Sequence, residues 1–353
     1  MRLKSLRQED LSFCHRAASF LQSGFWGSFK ARFEWEPLAF RTVWTDDGGN
    51  TEEEKSLLVL RRLLSKAFKL SLAYIPWGPE LPGFCSDRNA ALGELAALLK
   101  KTLPPDTVFI RFDPPWFTTG EFSPEIPLPF SRSGADIQPP DTVIIDLTQT
   151  MESIMDQMKP KWRYNARLAL KKGVSVYRAE SEKIDAFYAL LKETARRDGI
   201  AIHSADYYKG LFEESLNKAD PSVKISLYLA DHEGETIAGI VTLFRGKEAV
   251  YLYGASSDQK RNLMAPYALQ IKAMEDAKAE GAEKYDLFGI PPNEDPSHPM
   301  AGLYRFKTGF GGMIIHHPGS WDYPCRPVLY RLFRLAERAR KNLRTMKKII
   351  KRR

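Results

Sequence analysis

Apolar residues in the second half of the chain follow the two spacings that are typical of helices and of strands. A helix is predicted at residues 182–197, because Phe187, Leu190 and Leu191 fall on one face at helical spacing. Three apolar runs joined by short turns predict consecutive strands at 224–230, 236–245 and 249–255. Around them we expect helices at 149–157 and 161–172, one after Ser204 and one at 266–280, with strands at 174–178 and 284–288.

The first half of the chain repeats part of this order in weaker form. We expect a helix at 8–21, strands at 39–44, 56–64 and 70–75, a helix at 87–102 and a strand at 108–112. Helix, turn, strand and a Pro-Pro exit then recur about one domain apart, which indicates an internal repeat. The order resembles the Gcn5-related acyltransferase fold. It predicts an α/β (α+β) protein of two tandem domains of that kind, with a ligand-binding groove between them.

The expected domains are residues 1–145 and 146–325, followed by a basic C-terminal helix at 326–353. The Pro-rich stretch at 122–140 is the expected linker region. A length of 353 residues suits two domains that each bury a core, and 43% hydrophobic with 27% charged residues is typical of soluble globular proteins. No apolar run reaches 18 residues and the N-terminus is too polar for a secretory signal, so we expect neither a membrane span nor export.

Three cysteines, Cys14, Cys85 and Cys325, lie far apart and none is at metal-ligand spacing from another. Their odd number fits a reducing cytoplasm. Charge is concentrated at the C-terminus, where residues 326–353 hold twelve basic side chains against the single acid Glu337. Apolar residues interleave with them at helical spacing. Such a helix is typical of a surface for RNA phosphates or anionic lipid, and the alternative is a solvated helix that only aids solubility.

Four segments of the second half carry the most specific signal: 251–257, 261–267, 285–291 and 302–312. In order they are a strand, a loop-to-helix junction, a second strand and a glycine-rich loop with one lysine. This series resembles the acyl-acceptor half of the Fem family, the aminoacyl-tRNA-dependent transferases that build peptidoglycan cross-bridges. Segments 20–30, 72–79, 109–114, 158–174 and 194–199 extend the resemblance over nearly the whole chain. The chain is similar to compact members that lack the helical arm.

The resemblance implies a function: transfer of an amino acid from aminoacyl-tRNA to an amine on the stem peptide of a UDP-linked or lipid-linked muropeptide precursor. It implies no metal and no organic cofactor. From the cysteines and the basic C-terminal helix we expect a cytoplasmic protein, with peripheral contact to the anionic inner face of the membrane through that helix. Two alternatives stay open: an acyl-CoA-dependent N-acyltransferase, and a non-catalytic module that binds tRNA or anionic membrane. Against the first, Met264 replaces the expected glycine of a CoA-binding loop and Pro266 lacks an N–H donor.

Two of the three catalytic candidates, Lys307 and Phe306, lie in segment 302–312, and the third is Asp113. A tetrahedral intermediate needs a fixed positive charge near its oxyanion, and Lys307, on a loop held by glycines, suits that role. The resemblance places the family's catalytic lysine at Lys307, its neighbouring aromatic residue at Phe306, and a substrate contact at Tyr304. The alternative is a surface lysine beside a core phenylalanine. Asp113 matches a proposed general base, although an acid before Pro-Pro is also a common turn residue.

Substrate contacts are expected at five further residues. Lys30 matches a lysine that contacts the diphosphate of the precursor, and His203 stands where the family has an arginine, four residues before Tyr207. Histidine grips phosphate less well than arginine, which leaves the carrier of the acceptor open. Tyr251 and Tyr253 are two apart on a strand, so both are expected on one side. The alternatives are a helix-capping role for His203 and an aromatic sheet core for the tyrosines.

A basic patch is expected on the helix at 161–172. Arg163, Arg167 and Lys171 recur at a spacing of four, which puts them on one face. Protein contacts to tRNA are made largely through phosphates and 2′-hydroxyls, so this face is a candidate tRNA-binding surface. The alternative is a solvated helix face.

Overall fold

The computed structural model describes residues 1–120, 126–217 and 220–350, and the side chains among them except those of residue 341 and residues 344–350. Part of the expected linker and the last basic residues of the C-terminal helix thus lie outside the described residues and side chains. The strands are β1 (Arg2–Glu9), β2 (Glu36–Thr45), β3 (Glu52–Ser65), β4 (Leu70–Ile75), β5 (Thr107–Phe112), β6 (Ser131–Arg132), β7 (Asp141–Asp146), β8 (Ser175–Ala179), β9 (Val223–His232), β10 (Glu235–Arg245), β11 (Glu248–Ser256), β12 (Lys284–Asp286), β13 (Met313–His316) and β14 (Trp321–Pro324).

The helices are α1 (Gly24–Ala31), α2 (Arg88–Thr102), α3 (Met151–Gln157), α4 (Pro160–Lys171), α5 (Ile184–Asp198), α6 (Ala205–Leu216), α7 (Ala265–Ala279), α8 (Ala301–Thr308) and α9 (Pro327–Ile350). From α3 to β12 the elements lie where the sequence predicts them, in the predicted order. The chain forms two compact units.

The first unit consists of Met1–Trp116, Phe122–Gln138 and His317–Arg353. Its sheet has the order β1-β2-β3-β4-β5-β14-β6, in which β4 and β5 are parallel and the other pairs are antiparallel. Helix α2 covers one face because Leu92, Leu95 and Leu99 recur at helical spacing and are fully buried. Asp87 begins this helix by accepting hydrogen bonds from the N–H groups of residues 89 and 90.

The second unit consists of Phe117–Glu121 and Pro139–His316. Its sheet has the order β13-β7-β12-β11-β10-β9-β8, with β11 and β12 parallel. Helices α4 and α7 cover one face, and α5 packs against β10 and β11 on the other. The parallel pairing ends at Val250 and Asp286, while β11 continues to Ser256. The two strands therefore part at this point, and the candidate site lies where they do.

The predicted helix at 8–21 is wrong. Gln8 and Glu9 belong to β1 and pair with Phe40 and Ala39 of β2. Two short 3₁₀ turns follow, and the hydroxyls of Ser19 and Ser23 accept hydrogen bonds from backbone N–H groups just after them. Serine side chains that satisfy these donors begin new helical turns, so the α-helix starts only after Ser23.

The boundaries of the two units differ from the domain boundaries expected from the sequence. Strand β7 pairs with β12 and β13 of the second unit, so residues 139–145 group with that unit. Strand β14 pairs with β5 and β6, so residues 317–325 group with the first unit, as does α9. Both assignments depend on pairing between strands that are far apart in sequence. The local sequence pattern does not predict this pairing.

Candidate active site

Lys307 lies in the last turn of helix α8, and not on a loop as the glycines after it suggested. Only 6% of the surface of Lys307 is exposed to solvent. The Nζ atom donates hydrogen bonds to the carbonyl oxygens of Phe288 and Gly289, each at 2.9 Å. Both carbonyls follow the end of β12, where pairing with β11 has stopped. The lysine therefore satisfies backbone acceptors that a neighbouring strand would otherwise satisfy.

Asp286, the last residue of β12, holds this backbone in place. Its Oδ1 accepts the Phe288 N–H at 2.7 Å and the hydroxyl of Thr142. Phe288 has a φ of +56°, in the left-handed region that large side chains rarely adopt. The hydrogen bond to the carboxylate supports this turn. As a result, two successive carbonyls point toward Lys307.

Burial makes both charged groups titrate near neutrality. Desolvation lowers the pKa of Lys307 to about 7, although the charge of Asp286 acts in the opposite direction. Burial raises the pKa of Asp286 to about 6, with Glu248 adding to the rise, while its hydrogen bonds from Thr142 and Phe288 and the charge of Lys307 lower it. The charge on Lys307 is therefore not fixed at neutral pH, contrary to the expectation from the sequence. It depends on what surrounds the ammonium group.

Tyr251 forms the aromatic wall of the site. The Lys307 Nζ lies 5.1 Å from the centre of the Tyr251 ring, close enough for a cation–π interaction. The hydroxyl of Tyr251 lies over the backbone of Gly254, where a Cβ atom would be only 1.8 Å from it. Any larger residue at position 254 would displace the ring. Gly254 thus provides the space that lets Tyr251 reach the lysine.

Phe306 and Tyr304 position helix α8 against the core. The Phe306 ring packs edge-on against Tyr267 at 5.3 Å and Phe310 at 5.1 Å, and its carbonyl accepts the indole N–H of Trp162 at 2.8 Å. Tyr304 is half-buried against the same core. These contacts fix the helix that carries Lys307.

Tyr251 and Tyr253 lie on opposite faces of β11, so the expectation that they share one side is wrong. A β-bulge interrupts the pairing of β10 with β11: Tyr253 pairs with Val241, and Tyr251 with the next residue, Thr242. Adjacent residues of a strand face opposite sides, so their partners do as well. Tyr251 accordingly lies in the core next to α7, while Tyr253 packs edge-on against Tyr208 of α6 at 5.1 Å.

His203, Tyr207 and Tyr253 form a second group on that other face. The imidazole of His203 stacks on the Tyr207 ring at 3.8 Å with an interplanar angle of 13°. The Tyr207 and Tyr253 hydroxyls share a hydrogen bond, and burial raises the pKa of Tyr207 to about 12. His203 is exposed. These three residues form a stacked aromatic group. They lie on the face of β11 opposite to the one that carries Tyr251 and contacts Lys307.

Lys30 and Asp113 belong to the first unit. Lys30 is half-buried in the last turn of α1, within 5.4 Å of the ring of Trp26 and 5.8 Å of Trp35. Desolvation, with a smaller contribution from Arg62, lowers its pKa to about 8. It is an ammonium group lined by aromatic rings.

Asp113 is 3% exposed and accepts hydrogen bonds from the hydroxyls of Tyr74 and Ser320, one on each carboxylate oxygen. Burial raises its pKa to about 6. Both oxygens are thus already engaged inside the first unit. The two hydrogen bonds hold Asp113 within the first unit, and its role as a general base stays a prediction.

The three basic residues of α4 differ in their surroundings. Nη1 of Arg163 donates to the carbonyls of Met155, Asp156 and Met158 at 2.8 to 3.2 Å, and so caps the end of α3. Arg167 and Lys171 are exposed. Tyr164, 62% exposed, lies one turn before Arg167. Of the three predicted tRNA contacts, Arg167 and Lys171 are therefore available to a polyanion, with Tyr164 beside them.

The junction before α7 departs from a glycine-based phosphate loop. Met264 has a φ of +58° and precedes the helix, and Pro266 occupies its first turn without an N–H group. Within the described part of the chain, no group of three or more His, Cys, Asp or Glu residues is arranged to hold a metal ion. In the same described residues, no helix has the length and apolar character that crossing a membrane requires.

Comparison with known proteins identifies the family. The model of the FemAB family matches residues 130–226 and 222–338, which together cover more than half of the chain. The chain belongs to the FemAB family. The family resemblance inferred from the sequence is thereby confirmed.

Curated relatives share a modest level of identity with this member of the family. The lipid II:glycine glycyltransferase of Staphylococcus saprophyticus is 25% identical, with 56% of this chain and 61% of the relative covered. The enzyme of the same description from Staphylococcus aureus is 24% identical over the same shares. The match thus spans about three-fifths of the length of these relatives.

Solved structures support the fold. The crystal structure of FemX superposes with a TM-score of 0.72 at 21% identity, covering 91% of this chain and 96% of that one. A tandem GNAT protein from the clavulanic acid biosynthesis pathway, solved without AcCoA, superposes with a TM-score of 0.53 at 12% identity, covering 91% and 98%. The expectation of two tandem Gcn5-related acyltransferase-like domains is confirmed.

Three residues of the site were missed by reasoning from sequence. Asp286 lies within segment 285–291 but received no role, and Thr142 and Gly254 were not singled out. An acid at the end of a buried strand, followed by Leu-Phe-Gly, was the available signal for Asp286. Nothing local marks Thr142, because its contact with Asp286 spans 144 residues.

Proposed function

We propose that this protein transfers an amino acid from aminoacyl-tRNA to the amine of a peptidoglycan precursor stem peptide. The observation that carries the proposal is the buried Lys307, held by two carbonyls at the point where β11 and β12 part. Family membership supports the reaction type. The relatives named as lipid II:glycine glycyltransferases favour a lipid-linked acceptor over a UDP-linked one.

The reaction is aminolysis of an ester. The acceptor nitrogen attacks the ester carbonyl carbon, a C–N bond forms and negative charge develops on the carbonyl oxygen. The C–O bond to the ribose then breaks, and the leaving oxygen takes a proton as the attacking nitrogen loses one. Lys307 carries three N–H donors when protonated, and the two carbonyls engage two of them. The third is left to stabilise the oxyanion.

A pKa of about 7 suits Lys307 to this role. A buried ammonium stabilises a developing negative charge more strongly than an exposed one, because water does not screen it. Asp286 favours the protonated form and holds Phe288 in place. Phe306 and Tyr304 fix the helix, and Tyr251 forms the wall. On this proposal Lys307 is the catalytic residue and the others position it.

The tRNA contact is proposed for the exposed part of α4. Arg167 and Lys171 supply cations, and Tyr164 supplies a ring on which an unpaired base can stack. Arg163 is left out because it caps α3. Lys30 of the first unit stays a candidate contact to the acceptor, and its half-buried ammonium group suits a phosphate. The stacked pair of His203 and Tyr207 is a separate candidate contact in the second unit.

The test is a transfer assay with a pool of radiolabelled aminoacyl-tRNAs, including glycyl-tRNA, and with UDP-linked and lipid-linked muropeptide in separate reactions. Label on the lipid-linked acceptor is the expected result. Lys307→Met should lower transfer at least a hundredfold. Lys101→Met, which removes an exposed lysine of α2, is the matched control and should leave transfer unchanged. Full activity of folded Lys307→Met, or no label on either acceptor, would refute the proposal.

A further inference from the structure

Helix α9 presents a row of apolar side chains to solvent. Val328, Leu332, Leu335 and Leu343 are 71%, 57%, 60% and 57% exposed. Their spacings of four, three and eight residues put them on one side of the helix, and we call them the apolar stripe. Four aliphatic side chains aligned in this way are more than the scattered apolar residues that any surface carries.

The opposite side of α9 fixes the direction in which the stripe faces. Tyr330 and Phe333 pack on the ring of Phe109 at 5.3 and 4.9 Å. The Tyr330 hydroxyl donates to Asp322 at 2.9 Å, and Arg334 donates to the carbonyl of Arg132 at 3.0 Å. These contacts anchor the first part of the helix to the first unit, so the stripe points away from it.

A hairpin next to this helix exposes a second apolar group. The turn between β3 and β4 carries Phe68, which is 78% exposed, between Lys66 and Lys69. Leu64 and Leu70, on either side of the turn, pack in the same small cluster as the inward-facing residues of α9. The base of the hairpin therefore packs beside the first part of α9.

The surroundings of this surface are basic. Arg331, Arg338 and Arg340 are exposed on α9, Arg326 is exposed directly before it, and Lys66 and Lys69 are exposed on the hairpin. Among the described residues of α9 the one acid is Glu337, which lies on the inward side, 3.9 Å from Arg334. Glu34 lies near the hairpin and pairs with Arg62 and Lys66. Cations outnumber acids around the apolar residues.

We propose that the apolar stripe and Phe68 enter the headgroup region of an anionic lipid bilayer, with the flanking arginines and lysines on the lipid phosphates. Aliphatic and aromatic side chains between cations are what an interfacial helix uses to bind such a surface. A second copy of this chain would bring the same cations face to face. RNA would leave the aliphatic stripe without an apolar partner. The proposal does not depend on the proposed transferase activity, because lipid binding is measured without tRNA or muropeptide.

Co-sedimentation with vesicles tests it. The full chain should bind vesicles of phosphatidylcholine mixed with phosphatidylglycerol, and bind phosphatidylcholine alone much more weakly. Leu332→Glu should lower the partition coefficient about tenfold, the effect of losing one buried aliphatic side chain. Phe68→Ser should lower it by a similar factor. Leu216→Glu is the matched control, since Leu216 is 68% exposed in the second unit, and it should bind as the wild type does.

Charge and insertion are separated by two further variants. Arg331→Gln with Arg338→Gln should lower binding to the anionic vesicles about tenfold and reduce its salt dependence. Leu335→Trp adds a tryptophan to the stripe. Vesicles should shift the fluorescence emission that this tryptophan adds to the wild-type spectrum to shorter wavelength, and lipids brominated near the headgroup should quench it.

Several results would overturn the proposal. Equal binding of wild type and Leu332→Glu shows that the stripe does not insert. Equal binding to both vesicle types shows that charge does not direct it. Self-association that Leu332→Glu abolishes, without vesicle binding, assigns the stripe to a second copy. Retention by RNA alone assigns the basic residues to nucleic acid.

Discussion

Asp286 and Lys307 both form hydrogen bonds with the backbone of Phe288, one with its N–H group and one with its carbonyl group. The Asp286 carboxylate accepts the N–H of Phe288 at 2.7 Å, and the Lys307 ammonium donates to the carbonyl of Phe288 at 2.9 Å. One left-handed residue thus links a buried acid to a buried base. Because the charge of Asp286 also favours protonation of Lys307, the acid influences both the position and the charge of the lysine.

Replacing Asp286 should change the pH dependence of transfer. Asp286→Asn keeps an acceptor for the Phe288 N–H but removes the charge, so the pKa of Lys307 should fall below its value of about 7. The alkaline limb of kcat should move to lower pH. The loss should be largest above pH 7 and smallest below about pH 6, where Asp286 of the wild type is itself protonated.

Asp286→Ala serves as the comparison, because it also removes the acceptor. It should lose activity at every pH and lower the melting temperature, since it leaves a buried N–H without its partner. A pH profile of Asp286→Asn that coincides with the wild type would show that the charge of Asp286 does not act on Lys307.

The free energy of unfolding should depend on pH through Lys307. The pKa of this group is about 7 when folded and near 10.5 in the unfolded chain. Between these values the unfolded state binds more protons, so this group makes stability rise as pH rises from 7 to 10.5. Lys307→Met should remove that contribution. Urea unfolding at several pH values checks this, and parallel stability curves for the two proteins would contradict it.

Gly254→Ala should impair catalysis through Tyr251. A Cβ atom at position 254 would lie 1.8 Å from the Tyr251 hydroxyl, so the ring must leave its place beside Lys307. We expect kcat to fall at least tenfold, with the fold retained. Adding Tyr251→Phe removes the clashing oxygen and should restore part of the loss, which a double-mutant cycle measures as non-additivity.

Gly93→Ala is the matched control for this substitution. Gly93 lies in α2, and a Cβ atom there meets nothing within 4 Å. Alanine should leave transfer unchanged and stabilise the helix by up to about 1 kcal/mol. Strictly additive effects of Gly254→Ala and Tyr251→Phe would show that the two positions do not interact.

Asp113→Asn should affect stability more than rate. The asparagine has one carbonyl oxygen where the aspartate accepts two hydroxyl hydrogen bonds, so a buried hydroxyl loses its acceptor. The expected cost is about 1–3 kcal/mol of unfolding free energy, measured by denaturant, with kcat within a few-fold of the wild type. A hundredfold loss of kcat at unchanged stability would instead favour the general-base role.

Substitution of the two arginines of α4 should have different effects, one on stability and the other on tRNA binding. Arg163→Gln removes the cap of α3 and should lower the melting temperature with little effect on tRNA affinity. Arg167→Gln should leave stability unchanged, weaken tRNA binding and reduce its salt dependence by about one phosphate contact. Filter binding at several salt concentrations checks this. Equal losses of affinity in both variants would argue against the distinction.

Local patterns in the sequence were enough to predict much of the fold. From α3 to β12 each helix and strand lies where apolar spacing places it, because amphipathic periodicity records which face of an element is buried. The acyltransferase-like fold and the family follow from the order of these elements and of the short motifs. The prediction failed at residues 8–21, where hydroxyls of Ser19 and Ser23 compete with a continuous helix.

The sequence by itself determined which residues are available: a lysine before a run of glycines, two tyrosines on one strand, and an acid at the end of β12. The tertiary structure decided what they do. Burial lowers the pKa of Lys307. A bulge in the pairing of β10 with β11 places Tyr251 and Tyr253 on opposite faces, and Arg163 caps the end of α3. Desolvation, strand register and capping depend on residues distant in the chain, and local spacing contains no record of them.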